Sequence, residues 1–246
     1  MINQLLIEEV FGQPLCIDSN YAQSMAVLAY TAFQSNKPLS GIRYEAAYAV
    51  LPQSGAKQSS GTYTKGSVGV VVMDNPIVQN SDSWYGIKGT IEAANELQAF
   101  DADPNIIGTV LCMNSGGGAV YAIKPIADML SGLKKPVVTF SKQLIASAAY
   151  RIGANTDHIM MYHPQGIAGS LGTMMSMSDM QPMLEKWGMT FYDHYATASI
   201  LKNKTFTDAQ KGDAKALRAK MLDPMNDEFI ADIKHSWPDR RALPSG

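Results

Sequence analysis

Four short apolar runs, separated by stretches with helical spacing, constrain this chain most. They are "VGVVVM" (68–73), "IIGTVLCMN" (106–114), "KPVVTF" (135–140) and "HIMMYHP" (158–164). Each is rich in β-branched or large apolar residues and nearly continuous, as a strand covered on both faces reads. Between them, helical patterns run from about Gly89, over 119–133 ("AVYAIKPIADMLSGL") and from "ASAAYRIGANT" at 146–156. Strand–helix alternation returns each strand to the sheet by a crossover, so the strands lie parallel and the fold is a layered α/β fold. A chain of 246 residues can bury a sizeable core in this way.

The flanks read differently. Residues 1–51 are expected to be a helical N-terminal segment. In "DSNYAQSMAVLAYTAF", Asp18 and Ser19 are candidate N-caps, and Ala22, Met25, Ala26, Leu28, Ala29 and Ala32 recur near helical spacing. Residues 52–67, "PQSGAKQSSGTYTKGS", carry Ser, Gly, Lys and Thr and read as a flexible loop or linker. The main domain is then 68–246, with polar, Lys-rich helices from about Thr207. A net charge of −2 argues against a nucleic-acid partner. Two cysteines make no disulfide framework, and Cys112, inside an apolar run, is expected as a buried thiol. There is no H-E-x-x-H and no Cys/His cluster, so neither metal nor cofactor is expected. No apolar run reaches about 18 residues and the start carries acids rather than a basic leader, so no membrane span is expected and the cytoplasm is the default location.

In parallel α/β sheets, sites gather where strands end and helices begin. Two junctions stand out. "MNSGGGAVYAI" places Gly116, Gly117 and Gly118 directly after the strand at 106–114. Glycines there let the backbone turn and aim N–H donors at an anion. The alternative is a tight turn with no ligand. "TFSKQLIASAAYRIGA" places Ser147 near a helix start, between Ala146 and Ala148. That oxygen faces the positive end of the helix dipole, and the Ala148 N–H lacks an intrahelical acceptor. The alternative is an N-cap serine. Together, an accessible serine and a glycine turn on one sheet edge are what acyl transfer needs: a nucleophile plus backbone donors for the oxyanion.

These residues resemble a known family. "NSGGGAVYAIKPIADML", "KKPVVTFSKQLIASAAYRIGANTDHIMM" and "PQGIAGSLGTM" are similar to the signal peptide peptidase A family of serine proteases, whose pattern runs N-S-P-G-G, K-P-V, a Ser within A-S-A-A-Y, then G-S-I-G. The likeness covers roughly residues 68 to 235; Clp protease is a more distant one. It implies a Clp/crotonase-type fold of stacked β-β-α units. It puts Ser147 in the nucleophile's place, with Gly118 N–H and Ala148 N–H as the oxyanion donors. Gly116 stands where the family has proline, which loosens the turn without removing a donor.

A serine hydroxyl needs a base. His158, His163, His194 and His235 are the histidines. His163 lies sixteen residues past Ser147, but not in the slot the Clp likeness assigns to its histidine. The family resemblance instead implies a lysine. Its S-G-x-x-K stretch matches "ASILKNKTFTD", which puts Lys202 in place and leaves Lys204 as its competitor. Either can also be an ordinary solvated lysine. A neutral amine near pH 7 requires burial among apolar groups, since a free lysine titrates near 10.4. Ile200 and Leu201 are expected to supply that setting for Lys202.

The function implied is a serine endopeptidase with a Ser–Lys dyad acting on a peptide or protein substrate. "GQPLCIDSNYAQSMAVLA" resembles the start of phage-type members, which mature capsid or scaffold proteins. A soluble signal-peptide or general peptide peptidase is the alternative. A crotonase-fold acyl-CoA enzyme and an inactive assembly protein stay open. Family members form rings, so a homo-oligomer is expected, with the lysine sometimes donated by a neighbour. The Met-rich stretch "GTMMSMSDMQPM" (172–183) reads as a flexible core or a subunit contact.

Overall fold

Strand β4 (Ser67–Met73) alternates little in burial along its length, because layers cover both of its faces. It opens the parallel part of a six-stranded sheet. The order across the sheet is β3 (Ala56–Ser59), β2 (Tyr48–Leu51), β4, β5 (Ile106–Met113), β7 (Val137–Ser141), β9 (His158–Met161). From β4 to β9 all neighbours are parallel; β2 runs antiparallel to both β3 and β4. The molecule is thus a mixed α/β fold with a mostly parallel sheet, as the strand–helix alternation predicts. This computed structural model describes residues 15–17, 23, 44–59, 61–83, 86–177 and 181–236.

Helix α1 (Thr90–Ala102) links β4 to β5. It buries Thr90, Ala93, Ala94, Leu97 and Phe100, the i, i+3, i+4, i+7 stripe of a helix facing a core. It stops at Asp103, which is extended (φ −77°, ψ 121°) because Pro104 disfavours helical backbone before it. Helix α2 (Ile123–Gly132) leads towards β7 and buries Ile123, Ile126 and Leu130. Their buried residues join Val71, Met73, Leu111 and Met113 of the sheet in one continuous core. Beneath α1, the fully buried Lys88 is neutralised by Glu96, Nζ to Oε2 at 2.6 Å.

Two smaller pairings sit at the ends of the parallel strands. Strand β8 (Leu144–Ala146) runs parallel to β10 (Ile167–Gly169), and β1 (Leu15–Ile17) runs antiparallel to β6 (Gly117–Ala119). Helix α3 (Ala148–Ala154) follows β8 and leads to β9. Beyond come α4 (Gln181–Lys186), α5 (Lys204–Gln210), α6 (Lys215–Leu217), a π-helical turn (Arg218–Leu222) and α7 (Asp223–Ser236). Helix α7 returns to the core through Phe229, fully buried among residues that include Ile152 of α3.

Three readings change. Residues 15–17 and 48–51, inside the segment expected to be helical, are strands; the caps and apolar positions from Asp18 to Ala32 lie outside the described residues. The supposed linker contains β3, which forms a hairpin with β2 through a turn at Ser54 and Gly55. Its polar, mostly exposed residues suit a sheet edge, where charged and polar side chains blunt further pairing. The glycine stretch is not a turn running straight into a helix. Gly117–Ala119 form a strand, a 3₁₀ turn follows (Val120–Ala122), and the helix begins only at Ile123.

Candidate active site

The end of β5 and the start of β8 are tied by backbone bonds, which brings the two sequence-marked junctions together. Ser115 N–H donates to the Leu144 carbonyl (2.9 Å), and Ala146 N–H donates to the Ser115 carbonyl (3.0 Å). The Asn114 side chain adds a third tie, its Oδ1 accepting from Leu144 N–H at 2.9 Å. Ser115 Oγ accepts from Gly117 N–H at 3.2 Å. Asn114 and Ser115 therefore organise the site, a role that sequence reading assigned to neither. Gly117 needs its glycine, with φ at 103°. Gly118 needs its own for space: a Cβ there would lie 2.1 Å from the Ile77 carbonyl oxygen.

Ser147 follows directly. Its backbone sits at φ 54°, ψ −118°, in a region that residues with a Cβ rarely occupy. It stands at the N-cap of α3 but makes no capping bond with its side chain. Its Oγ is buried and has no hydrogen-bond partner among the described residues. The capping alternative is thereby excluded. Neither does the serine stand open to solvent: the residue is 1% exposed. Its N–H donates to the Gly169 carbonyl at 2.7 Å. Gly169 (φ 138°) and Ser170 (φ 54°) belong to the G-S-L-G segment, which sequence reading matched to the family without giving it a task. It anchors the nucleophile candidate's backbone. Ala148, fully buried, opens α3, so its N–H lies at the helix tip beside Ser147.

One turn along α3, Arg151 is 3% exposed. Its Nε donates to Asp232 Oδ2 at 2.8 Å, and its Nη2 to Glu228 Oε1 at 2.9 Å. Both acceptors are on α7, so the serine's helix is clamped by an element some eighty residues away. Nearby, burial pushes the Asp74 carboxyl upward against the opposing pull of Lys142, 3.9 Å away. Burial, and then the Asp74 charge, push the Cys112 thiol upward too. Cys112 is half-buried rather than sealed in the core, and its raised thiol is a poor nucleophile at neutral pH. Among the described residues, no group of three or more His, Cys, Asp or Glu is placed to hold a metal ion.

Among the described residues no base bonds the Ser147 Oγ. Lys202 is exposed and does not bond the serine. Ile200 and Leu201, expected to bury it, are 81% and 71% exposed. Lys204 is spent in an exposed ion pair with Asp208 at 2.7 Å. His163 is exposed, its Nδ1 accepting from Gln165 N–H at 3.1 Å. In the Met-rich stretch, Met174 and Met175 are half-buried and Met177 is exposed, so these residues are not core.

A strained, buried serine at a helix tip, set against a glycine strand at the end of a parallel sheet, defines a class: an α/β protein with the site geometry of a serine hydrolase. Residues 131–238 match Peptidase family S49. The chain is 34% identical over 97 residues to a Methanocaldococcus jannaschii protein named as a protease, covering 39% of this chain and 31% of that one. It is 33% identical over 98 residues to an Enterococcus faecium protein named for signal peptide peptidase SppA, covering 39% and 28%. It is 23% identical over 183 residues to Protease 4 of Salmonella typhi, covering 72% and 29%. The family model is that of a peptidase, and the relatives' names are those of proteases. The chain spans about a third of the length of these relatives. Among solved structures, an enoyl-CoA hydratase/isomerase family member superposes with a TM-score of 0.35 at 14% identity, over 69% of this chain and 82% of that one. Among the described residues no helix is long and apolar enough to cross a membrane.

Proposed function

We propose that the chain is a serine endopeptidase in which Ser147 is the nucleophile and Lys202 its base. The backbone of Ser147, held at φ 54° with a buried and unbonded Oγ, carries the reading. Such strain persists only where the surroundings impose it, and it clusters at functional sites. In the proposed mechanism the neutral Lys202 amine takes the Ser147 proton as Oγ attacks a peptide carbonyl. Gly118 N–H and Ala148 N–H hold the oxyanion. The ammonium returns the proton to the leaving amine, and water, deprotonated by the same amine, frees the acyl group.

Lys202 comes from a second copy of the chain in this reading. The support is the stretch that carries it. Residues 189–198 hold no helix or strand. From 187 to 201 the stretch exposes Trp187 (65%), Tyr192 (77%), Ile200 (81%) and Leu201 (71%). So many large apolar groups exposed along one segment indicate a covered interface, which fits the expected homo-oligomeric ring. The opening segment's likeness to phage-type members makes a capsid or scaffold protein the first substrate to test. The relative named for signal peptide peptidase supports general peptide turnover as the second.

A fluorophosphonate probe followed by mass mapping should label Ser147. Ser147→Ala should lower peptide hydrolysis by roughly 10⁴-fold or more, and Lys202→Ala should do likewise, while Lys204→Ala stays near wild type. Mixing Ser147→Ala and Lys202→Ala chains should restore part of the activity, because a mixed oligomer contains sites with both groups intact. Unlabelled Ser147, or full activity in Ser147→Ala, would sink the proposal. Cleavage of a co-expressed capsid or scaffold protein, against cleavage of short peptides alone, separates the two substrate classes.

A further inference from the structure

Strand β1 lies antiparallel on β6, with Leu15 opposite Ala119, Cys16 opposite Gly118 and Ile17 opposite Gly117. The other edge of β6 is already in use. Ile77 N–H donates to the Gly117 carbonyl at 2.9 Å, and Ala119 N–H donates to the Ile77 carbonyl at 2.8 Å. Successive residues of a strand turn their polar groups to opposite edges. Gly118 N–H therefore faces β1, and the residue opposite it is Cys16. The donor assigned to a substrate's oxyanion meets the chain's own backbone. Strand β1 also passes within 8 Å, Cα to Cα, of α3, whose tip carries Ser147. Ile17 is 4% exposed and Ser147 1% exposed. A nucleophile so covered cannot receive a peptide until something is lifted away.

We infer that the Gly117–Ala119 edge is a strand-binding site for extended peptides, and that β1 is its resident occupant: substrate reaches Ser147 by displacing Leu15–Ile17. The inference rests on the peptidase reading. Main-chain pairing supplies affinity at such an edge, and pockets beside it supply selectivity. The occupant also indicates the ligand class, an extended peptide with an aliphatic residue at the position Ile17 holds, since that position is buried. Because β1 is tethered, it competes at an effective concentration on the order of millimolar, so the free chain is self-inhibited.

The test compares the full chain with Cys16→Pro, which removes the N–H of the central paired residue, and Ile17→Asp, which puts a charge at a buried position. Both should cleave a fluorogenic peptide, and should label at Ser147 with fluorophosphonate, about tenfold faster than wild type. A synthetic peptide of residues 13–19, QPLCIDS, should inhibit the variants more strongly than the wild type. In the unaltered protein, hydrogen exchange of the residue 15–17 amides should accelerate when a peptide aldehyde occupies the site. Variants shown by circular dichroism to be folded, yet no faster than wild type, overturn the inference and leave the peptidase reading standing. So do residue 15–17 amides that stay protected with the aldehyde bound. A new N-terminus at Ile17 in wild type but not in Ser147→Ala overturns it in favour of a segment the enzyme cuts from itself. If no form labels at Ser147, the peptidase reading falls and this inference falls with it.

Discussion

Ser147 occupies a backbone region that costs about 1–3 kcal/mol for a residue with a side chain, and its buried hydroxyl forgoes a hydrogen bond as well. Both penalties are borne locally by the bonds at Ser115, Leu144 and Gly169 that leave the chain no other path. Gly118 is another residue with no freedom. Gly118→Ala would drive a methyl group into the Ile77 backbone, 2.1 Å from its carbonyl oxygen, and backbone yields less readily than a side chain. The expected cost is about 3 kcal/mol, the upper end for overpacking. Thermal unfolding should show Tm falling by roughly 6–12 °C, with peptidase activity lost before stability because the donor N–H moves. Ser147 and Ala148 stand out in the sequence because a serine flanked by alanines falls where a strand gives way to a helix, whereas Gly118 is singled out by the family resemblance alone. Asn114, Ser115 and Gly169 escaped notice because their work is done by backbone bonds to residues far along the chain.

At the scale of elements, the helix that follows Ser147 is short, seven residues, and would be marginal alone. Its position is set by α7 through Arg151, Asp232, Glu228 and Phe229. Asp232→Ala leaves the Arg151 guanidinium buried with only Glu228, itself 60% exposed. Losing one partner of a buried charge costs about 3 kcal/mol at the lower end. Chemical denaturation should report that loss, and kcat should fall more than KM, since the serine shifts while the strand-binding edge stays. The parallel strands β4, β5 and β7 could be read from sequence because a strand largely covered on both faces is a continuous apolar run; β9, at the sheet edge with His158 and Met160 exposed, was legible from its apolar residues alone. Strands β1, β3 and β6 could not be read in this way. Three or four residues span two periods at most, β3 is mostly polar, and β6 is made of glycine and alanine. Their pairing partners, not their composition, make them strands.

At the scale of the whole molecule, two features stand out that composition does not reveal: among the described residues no base bonds Ser147, and Trp187, Tyr192, Ile200 and Leu201 stand exposed along one segment. In the proposed reading, a second copy answers both. Leu201→Asp, at a position 71% exposed, should cost the single chain less than 0.5 kcal/mol, as surface changes do. It should nonetheless shift the protein to monomers in sedimentation velocity and abolish peptide cleavage; an unchanged oligomer with full activity would refute that assignment. The helical C-terminal part was legible from its Lys/Asp/Glu pattern, but its attachment to Arg151 was not, because the two lie 77 and 81 residues apart. That separation has a temporal consequence. A nascent chain presents Ser147 to the ribosome's surroundings well before residue 232 emerges, and until then Arg151 has no carboxylate to hold it. On the proposed reading, the serine takes its working posture only when synthesis has passed that point, so a half-made chain carries its reactive group without the means to aim it.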